Sequence, residues 1–392
     1  MKMAKLILFS FSFCIMMTQC ANKKEVPFSI KWTSDIEMPG ENNIPNPGVA
    51  GAFTGISNGY LMIAGGANFP NGYPWEGGKK VFSPDIYCLN LQGKKRNEWQ
   101  VYKSALPGQI AYGASVSIPG GILCIGGCNL DSCFADTYIM TMQENHPVIK
   151  SWTKLPVPLA NCSMARIGNQ IFIAGGQTTV KNACATNIFL KADLTAPEKG
   201  WQRLPDFPGA PRAYAVATAV KDGKDNCFFL FGGRNFNPRK EFKILTDGYK
   251  YNCKTQKWVK LKSRFPVMAA CGSLVDRDWI ILAGGTDGSY LLEEMDLKKK
   301  IERSSNADSV KYWTNILAES QKNNKGFDQL VRYYDWKNDN IAFTDTVSFA
   351  MPLTTGMVVN NNGIYIPSGE IRPGVRTPFV IFGSIVREKN KR

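Results

Sequence analysis

Short apolar runs recur along the chain, and each closes on a pair of glycines: 61–66 (L-M-I-A-G-G), 122–127 (I-L-C-I-G-G), 171–176 (I-F-I-A-G-G), 229–233 (F-L-F-G-G) and 281–285 (I-L-A-G-G). Runs of this length, bounded by glycine and rich in branched and aromatic residues, predict buried β-strands rather than helices. A segment of small residues precedes each run. A loop and an aromatic-bearing strand follow, as in 85–89 (D-I-Y-C-L) and 247–251 (D-G-Y-K-Y). A tryptophan then opens W-Q-V-Y at Trp99, W-T-K-L-P at Trp152, W-Q-R-L-P at Trp201 and W-V-K-L at Trp258. In the second unit this order predicts strands over 111–118, 121–125, 137–142 and 151–156. The tryptophans read as large rings that fill the space between neighbouring units.

Successive Gly-Gly corners lie 61, 49, 57 and 52 residues apart, and a sixth corner at Ser368-Gly369, with serine in place of the first glycine, follows after 84. A four-stranded repeat of about 50 residues matches a kelch blade, and such blades stand radially so that only short, protected edges remain. The two ends of the chain fit a closed ring. Residues 30–39 read as a fourth strand with no first three before it, whereas 354–360, 363–366 and 377–386 read as three strands with no fourth. Pairing them completes a sixth blade and hides edges that would otherwise expose unpaired backbone groups. The expected fold is all-β: a six-bladed kelch-type β-propeller over 29–388, closed between its N- and C-terminal strands. The extra length before the sixth corner places Val310, Trp313, Ile316 and Leu317 at helical spacing. Residues 291–330 are therefore read as a helical insertion in blade five, overhanging the face that carries the sixth corner.

Hydrophobic content of 44% and charged content of 20% belong to a globular chain with a sizeable core, and 36 Gly with 22 Pro fit many turns. Lys2 and Lys5 followed by an apolar run over 6–17 predict a signal peptide at 1–20, and Cys20 before Ala21 is like a bacterial lipoprotein site, making Cys20 the expected lipid attachment. On that reading 21–28 is a linker and 389–392 a basic tail. The protein is then exported, periplasmic or anchored to the outer membrane of a Gram-negative cell through that lipid alone. Of eleven cysteines, Cys128 and Cys133 stand close enough to suggest a local disulfide. Cys88, Cys124, Cys227 and Cys253 fall in or beside strands, where cysteine packs as a small hydrophobe. One histidine, His146, and no C-x-x-C pair leave too few ligands for a Cys/His metal site, so no metal or cofactor is expected. The net charge of +15 is spread over scattered lysines without the aromatic-interleaved groove of a nucleic-acid binder, which leaves a bias toward anionic substrates and no nucleic-acid partner.

Loops after the corners and loops between blades gather on one face around the axis. The corner loops bring Asn68, Asn129, Gln177, Arg234, Asn235, Thr286, Asp287, Glu370, Arg372 and Arg376; the inter-blade loops bring Tyr112, Arg212, Tyr214 and Thr355. Amides, hydroxyls and a few arginines suit a small acidic molecule such as a sugar acid, because arginine pairs a carboxylate through a planar fork. Glu370 stands among them as the candidate base. The plainer alternative for Glu370 and Arg376 is a surface salt bridge worth under about 1 kcal/mol.

Four stretches carry a resemblance: G-A-F-T-G-I-S-N-G-Y-L-M-I-A-G-G-A-N-F at 51–69, E-G-G-K-K-V-F-S-P-D-I at 76–86, A-Y-G-A-S at 111–115 and G-E-I-R-P-G-V-R-T at 369–377. They resemble the bacterial N-acetylneuraminate epimerase (sialic acid mutarotase) family of six-bladed kelch propellers, over nearly the whole mature chain. The shifted start point is similar to the cyclically permuted branch of that family. The resemblance implies an isomerase, free of cofactors, that interconverts α and β anomers of N-acetylneuraminate or a close sugar acid by acid–base ring opening and closure. It places the family's catalytic glutamate and arginine, in G-E-x-[KR]-P-G-x-R, on Glu370 and Arg376, and an inter-blade P-R on Arg212. Arg372, Asn68, Tyr112, Arg234 and Asn235 are the further expected substrate contacts. Ile110 departs from the family, standing where an arginine precedes A-Y-G. Two readings compete: a non-catalytic exported propeller that binds glycan or protein, and a sialidase, whose S-x-D-x-G-x-x-W boxes this sequence lacks.

Overall fold

The computed structural model describes residues 26–222, 225–237, 240–361 and 363–387. The expected signal peptide, Cys20 and the basic tail lie outside the described residues. Six four-stranded antiparallel sheets form a six-bladed propeller. Blade one runs from Phe53–Ser57 out to Trp99–Tyr102, blade two from Ala114–Ile118 to His146–Ser151, and blade three from Ser163–Ile167 to Gln202–Arg203. Blade four runs from Val216–Asp222 to Lys257–Lys260 and blade five from Cys271–Asp276 to Asn340–Thr346. Blade six takes Val358–Asn360, Gly363–Arg372 and Val375–Arg387 from one end of the chain and Phe28–Glu37 from the other. Phe28–Glu37 pairs antiparallel with Val375–Arg387, Phe28 opposite Arg387 and Glu37 opposite Phe379, so the ring closes as the sequence implies.

Six parcels of core lie one between each pair of neighbouring blades, and two smaller ones lie among the corner loops. Met62 and Cys88 of blade one meet Ile122 and Met140 of blade two, for example, and the closing parcel joins Leu61 and Leu89 of blade one to Tyr365 and Val380 of blade six. The tryptophans lie in these seams. Trp152 meets Trp201 edge-on at 5.6 Å between blades two and three, and Trp258 lies 4.8 Å from Phe189 between blades three and four.

Three local expectations shift. The inner strand of blade two begins at Ala114, because Ala111 leaves the ladder to bridge Cys128 and Tyr112 turns into the left-handed region at φ 60°. Its fourth strand is His146–Ser151, so Trp152 follows the strand instead of lying within it. Residues 368–376 form a β-hairpin rather than a loop, with Glu370 opposite Arg376, Arg372 opposite Val375, and irregularities of register after Pro367 and Glu370.

The insertion in blade five consists of α1 (Ser289–Arg303) and α2 (Ala307–Lys322), packed on each other. Asp287 Oδ1 accepts from Ser289 N–H at 2.9 Å, and Asn306 Oδ1 accepts from Ser309 N–H at 2.8 Å, meeting donors that each helix start leaves open. Helix α2 rests on Pro74–Glu76 of blade one's corner loop, and Arg372 Nη1 donates to Lys322 O at 2.8 Å. The insertion therefore spans from blade five across to blades six and one on the corner face.

Candidate active site

Six backbone positions repeat around the axis: Gly51, Tyr112, Asn161, Tyr214, Ala269 and Thr354, all with φ between 51° and 72°. The N–H of each donates to the carbonyl of the one before. Tyr112 bonds Gly51 (2.7 Å), Asn161 bonds Tyr112 (2.7 Å), Tyr214 bonds Asn161 (3.0 Å), Ala269 bonds Tyr214 (2.8 Å), Thr354 bonds Ala269 (2.9 Å) and Gly51 bonds Thr354 (2.6 Å). The circle is complete only with all six blades in place. A left-handed conformation costs a non-glycine residue about 1–2 kcal/mol, a cost that the closed hydrogen bonds offset. These residues and the inner strands bound an axial cavity of about 530 Å³.

A second ring lies outside the first. The residue before each of the six positions bridges the residue after each corner: Ala50 with Ala67, Ala111 with Cys128, Ala160 with Gln177, Ala213 with Arg234, Met268 with Thr286, and Leu353 with Glu370. Five corners are Gly-Gly. At the sixth, Ser368 holds φ 56°, within the range of the glycines it replaces, and its buried hydroxyl accepts from Val49 N–H (2.8 Å) while lying 2.9 Å from Val49 O and 2.7 Å from Thr377 O.

Glu370 Oε1 accepts from Gly374 N–H at 2.8 Å and from Arg376 Nη1 at 3.1 Å; the arginine side chain is 3% exposed and the glutamate 22%. Arg376 Nε also reaches Ala67 O of blade one at 3.3 Å, and its guanidinium sits 4.8 Å over the Phe69 ring. The Tyr112 hydroxyl lies within electrostatic reach of both Arg376 and Glu370. Burial pushes its pKa up to about 12; Arg376 opposes that shift and Glu370 adds to it, so the phenol stays protonated at neutral pH. Glycine at position 51 makes the room, since a Cβ there would lie 2.4 Å from Tyr112 Cδ1. Lys80 Nζ stands 5.6 Å from the Tyr112 ring.

Arg234 provides a second cationic position. Its guanidinium lies 4.0 Å over the Tyr214 ring with Phe236 and Phe242 nearby, and its buried Nε has no hydrogen-bond partner among the described residues. The insertion closes in above. Leu291, like Tyr214, packs against the cluster of Met268, Ala269 and Leu353, and the Tyr290 pKa is raised by burial, with Glu294 and Glu370 adding to the rise.

Other expected contacts serve the scaffold. Arg212 is fully buried, not presented to a ligand: Nη1 donates to Gly232 O (3.0 Å) and Asp247 Oδ1 (2.8 Å), and the guanidinium packs on Phe207 and Tyr249. Arg332 repeats this in blade five, bonding Gly284 O and pairing with Asp328. Asn68 donates to Gly48 O (3.0 Å), Asn129 closes a turn onto Asp131 and Ser132, and Thr355 donates to Pro367 O (2.6 Å). Asn235 pairs with Lys243 in a small two-stranded sheet, and Arg372 stacks on Trp75 at 5.6 Å. The suspected disulfide is absent; Cys128 and Cys133 are free thiols. Lys80, Phe69 and Tyr290 enter the neighbourhood without having been singled out in the sequence.

Six blades, Gly-Gly corners and a charged sixth corner define a kelch-type six-bladed propeller with a polar site on its corner face. Within that class the chain belongs to the N-acetylneuraminate epimerase family, whose model matches residues 17–149 and 152–391. Curated relatives of that name include one from Haemophilus influenzae (strain PittEE), 25% identical over 242 residues, and one from Escherichia coli O139:H28, 28% identical over 233. These alignments cover 58% and 57% of this chain and 58% of each relative, so the chain spans just under three-fifths of the curated proteins it matches. The solved structure titled "Structure of YjhT" superposes with a TM-score of 0.58 at 15% identity, covering 90% of this chain and 99% of that one.

Proposed function

We propose that the protein is a mutarotase that interconverts the α and β anomers of N-acetylneuraminate or a close sugar acid. Membership of the family supports the reaction, and the observation that carries the site is the Glu370–Arg376–Tyr112 cluster. Arg376 orients the Glu370 carboxylate. The carboxylate takes the proton of the anomeric hydroxyl while a protonated group, a role we give to Tyr112, gives a proton to the ring oxygen. The bond from the anomeric carbon to the ring oxygen breaks, leaving an open-chain ketone. Re-addition of that oxygen to the other carbonyl face returns both protons and yields the other anomer. Positioned acid and base together contribute roughly 10²–10⁴-fold. With Arg212 buried, Arg234 takes over the role of holding the substrate carboxylate, its desolvated Nε gaining an acceptor.

Proton NMR of freshly released α-N-acetylneuraminate tests this. Wild type is expected to hasten anomer exchange over buffer, and Glu370→Gln to lose roughly 10²-fold or more of that gain. No acceleration by wild type would sink the activity; an equally fast Glu370→Gln would sink only the assignment of the base.

A further inference from the structure

Cys128 occupies the second-ring position that Glu370 and Arg234 occupy in their blades, and it bridges Cys133 across the corner loop. The pairing type follows from the flanking bonds. Phe134 N–H donates to Gly127 O (2.8 Å) and Asn129 N–H donates to Ser132 O (3.0 Å), while the two cysteines exchange no backbone bond. This is a non-hydrogen-bonded antiparallel pair, in which Cα atoms lie about 4.5 Å apart, inside the roughly 4.4–6.8 Å that a disulfide spans. The thiols are close enough to perturb each other, and they do so unequally. Hydrogen bonding to Cys133, and then burial, push Cys128 up; the same bond pulls Cys133 below the ordinary thiol value against its partial burial. A thiol held toward the thiolate and partly exposed is a nucleophile, whereas a buried one is inert until a neighbour is activated.

We propose that Cys128 and Cys133 are a redox-reactive dithiol that closes to a disulfide by exchange with a low-molecular-weight disulfide such as glutathione disulfide. Cys133 Sγ attacks one sulfur of the small disulfide and forms a mixed disulfide, releasing one molecule of thiol. Cys128 Sγ, losing its proton to solvent, then attacks Cys133 Sγ and expels the second thiol, so two protein thiols are oxidised as one small disulfide is reduced to two thiols. Closure ties 128–133 covalently next to the first ring, because Cys128 exchanges backbone bonds of 2.8 and 3.0 Å with Ala111, the residue before Tyr112. Cys162 is the other thiol near Cys133, and burial pushes it up to about 12. This site is independent of the proposed mutarotation.

The test is titration of the full chain across glutathione buffers from fully reduced to fully oxidised, followed by alkylation and peptide mass mapping. The expected result is a single two-electron transition that removes two alkylatable thiols at positions 128 and 133. Cys128→Ser should stop at a stable glutathione adduct on Cys133, and Cys133→Ser should leave Cys128 unmodified. Retention of both wild-type thiols throughout, or closure mapping to Cys133 and Cys162, overturns the proposal whatever the variants do.

Discussion

Ser368 offers a measurement of how the ring is closed. Its hydroxyl joins Val49, on the segment entering blade one, to Thr377, on the third strand of blade six, at positions where neither group meets solvent. Ser368→Ala leaves Val49 N–H without that acceptor and one nearby carbonyl without its donor. A buried group left unsatisfied costs about 1–3 kcal/mol, so for two groups a loss on the order of 2–6 kcal/mol is expected. Ser368→Gly loses the same bonds but relieves the backbone, which stands at φ 56°. That relief is about 1–2 kcal/mol, of which glycine returns about 0.5–1 kcal/mol through unfolded-chain entropy. The expected order of stability is therefore wild type, then glycine, then alanine. Urea unfolding followed by tryptophan fluorescence, with slopes unchanged between variants, reads these differences. An alanine variant as stable as wild type, or more stable than the glycine variant, would refute the reasoning.

Asp247→Ala should destabilise by about 3 kcal/mol, since it strands the fully buried Arg212 guanidinium without its counter-charge; a change below about 1 kcal/mol in the same assay would show the pair to be dispensable. Burial alone would raise the Asp247 carboxyl, but Arg212 outweighs it and holds the group below its usual value. Its contribution is thus present above the unfolded value of about 3.9 and is lost as pH falls through the lower folded value. Acid titration of stability should fall in that range for wild type and less so for Asp247→Asn. Deleting 28–37 removes the fourth strand of blade six and should abolish the proposed mutarotation along with cooperative unfolding; a soluble, fully active truncation would show that closure and activity are uncoupled.

The ring was legible because its punctuation is local. A Gly-Gly corner needs two consecutive positive φ values, and a strand ending there can be read from a few residues. The orphan strands at the two ends were legible for the same reason, as fragments of a known order. Glu370 and Arg234 stand directly after their corners, a position that the repeat itself marks. Asn68, Asn129 and Asn235 stand one residue further on, and the bridges that set this phase join segments of neighbouring loops rather than adjacent residues. The burial of Arg212 was not legible in its inter-blade P-R, because the partner that holds it, Asp247 just before the third strand of its own repeat, is 35 residues away. Tyr290 had no such signal, since its approach to Glu370 depends on where the insertion docks.

The charged corner draws its geometry from both ends of the chain. Glu370 and Arg376 face each other on one hairpin, yet Arg376 is held by Ala67 O and Phe69 of blade one, and Ser368, two residues before Glu370, is held by Val49. The first-ring bond from Gly51 to Thr354, at 2.6 Å, crosses the same seam. A strand contributed from the far end of the chain stabilises blade six, and blade six presents the carboxylate. Loosening the seam should therefore lower activity before it unfolds the protein, because a displacement of the ion pair from Tyr112 takes only local slack, whereas opening the ring breaks a whole inter-blade parcel of core. Ser368→Gly, which keeps the core and loses the seam bonds, separates the two: reduced turnover in a still cooperative protein is the outcome this coupling requires.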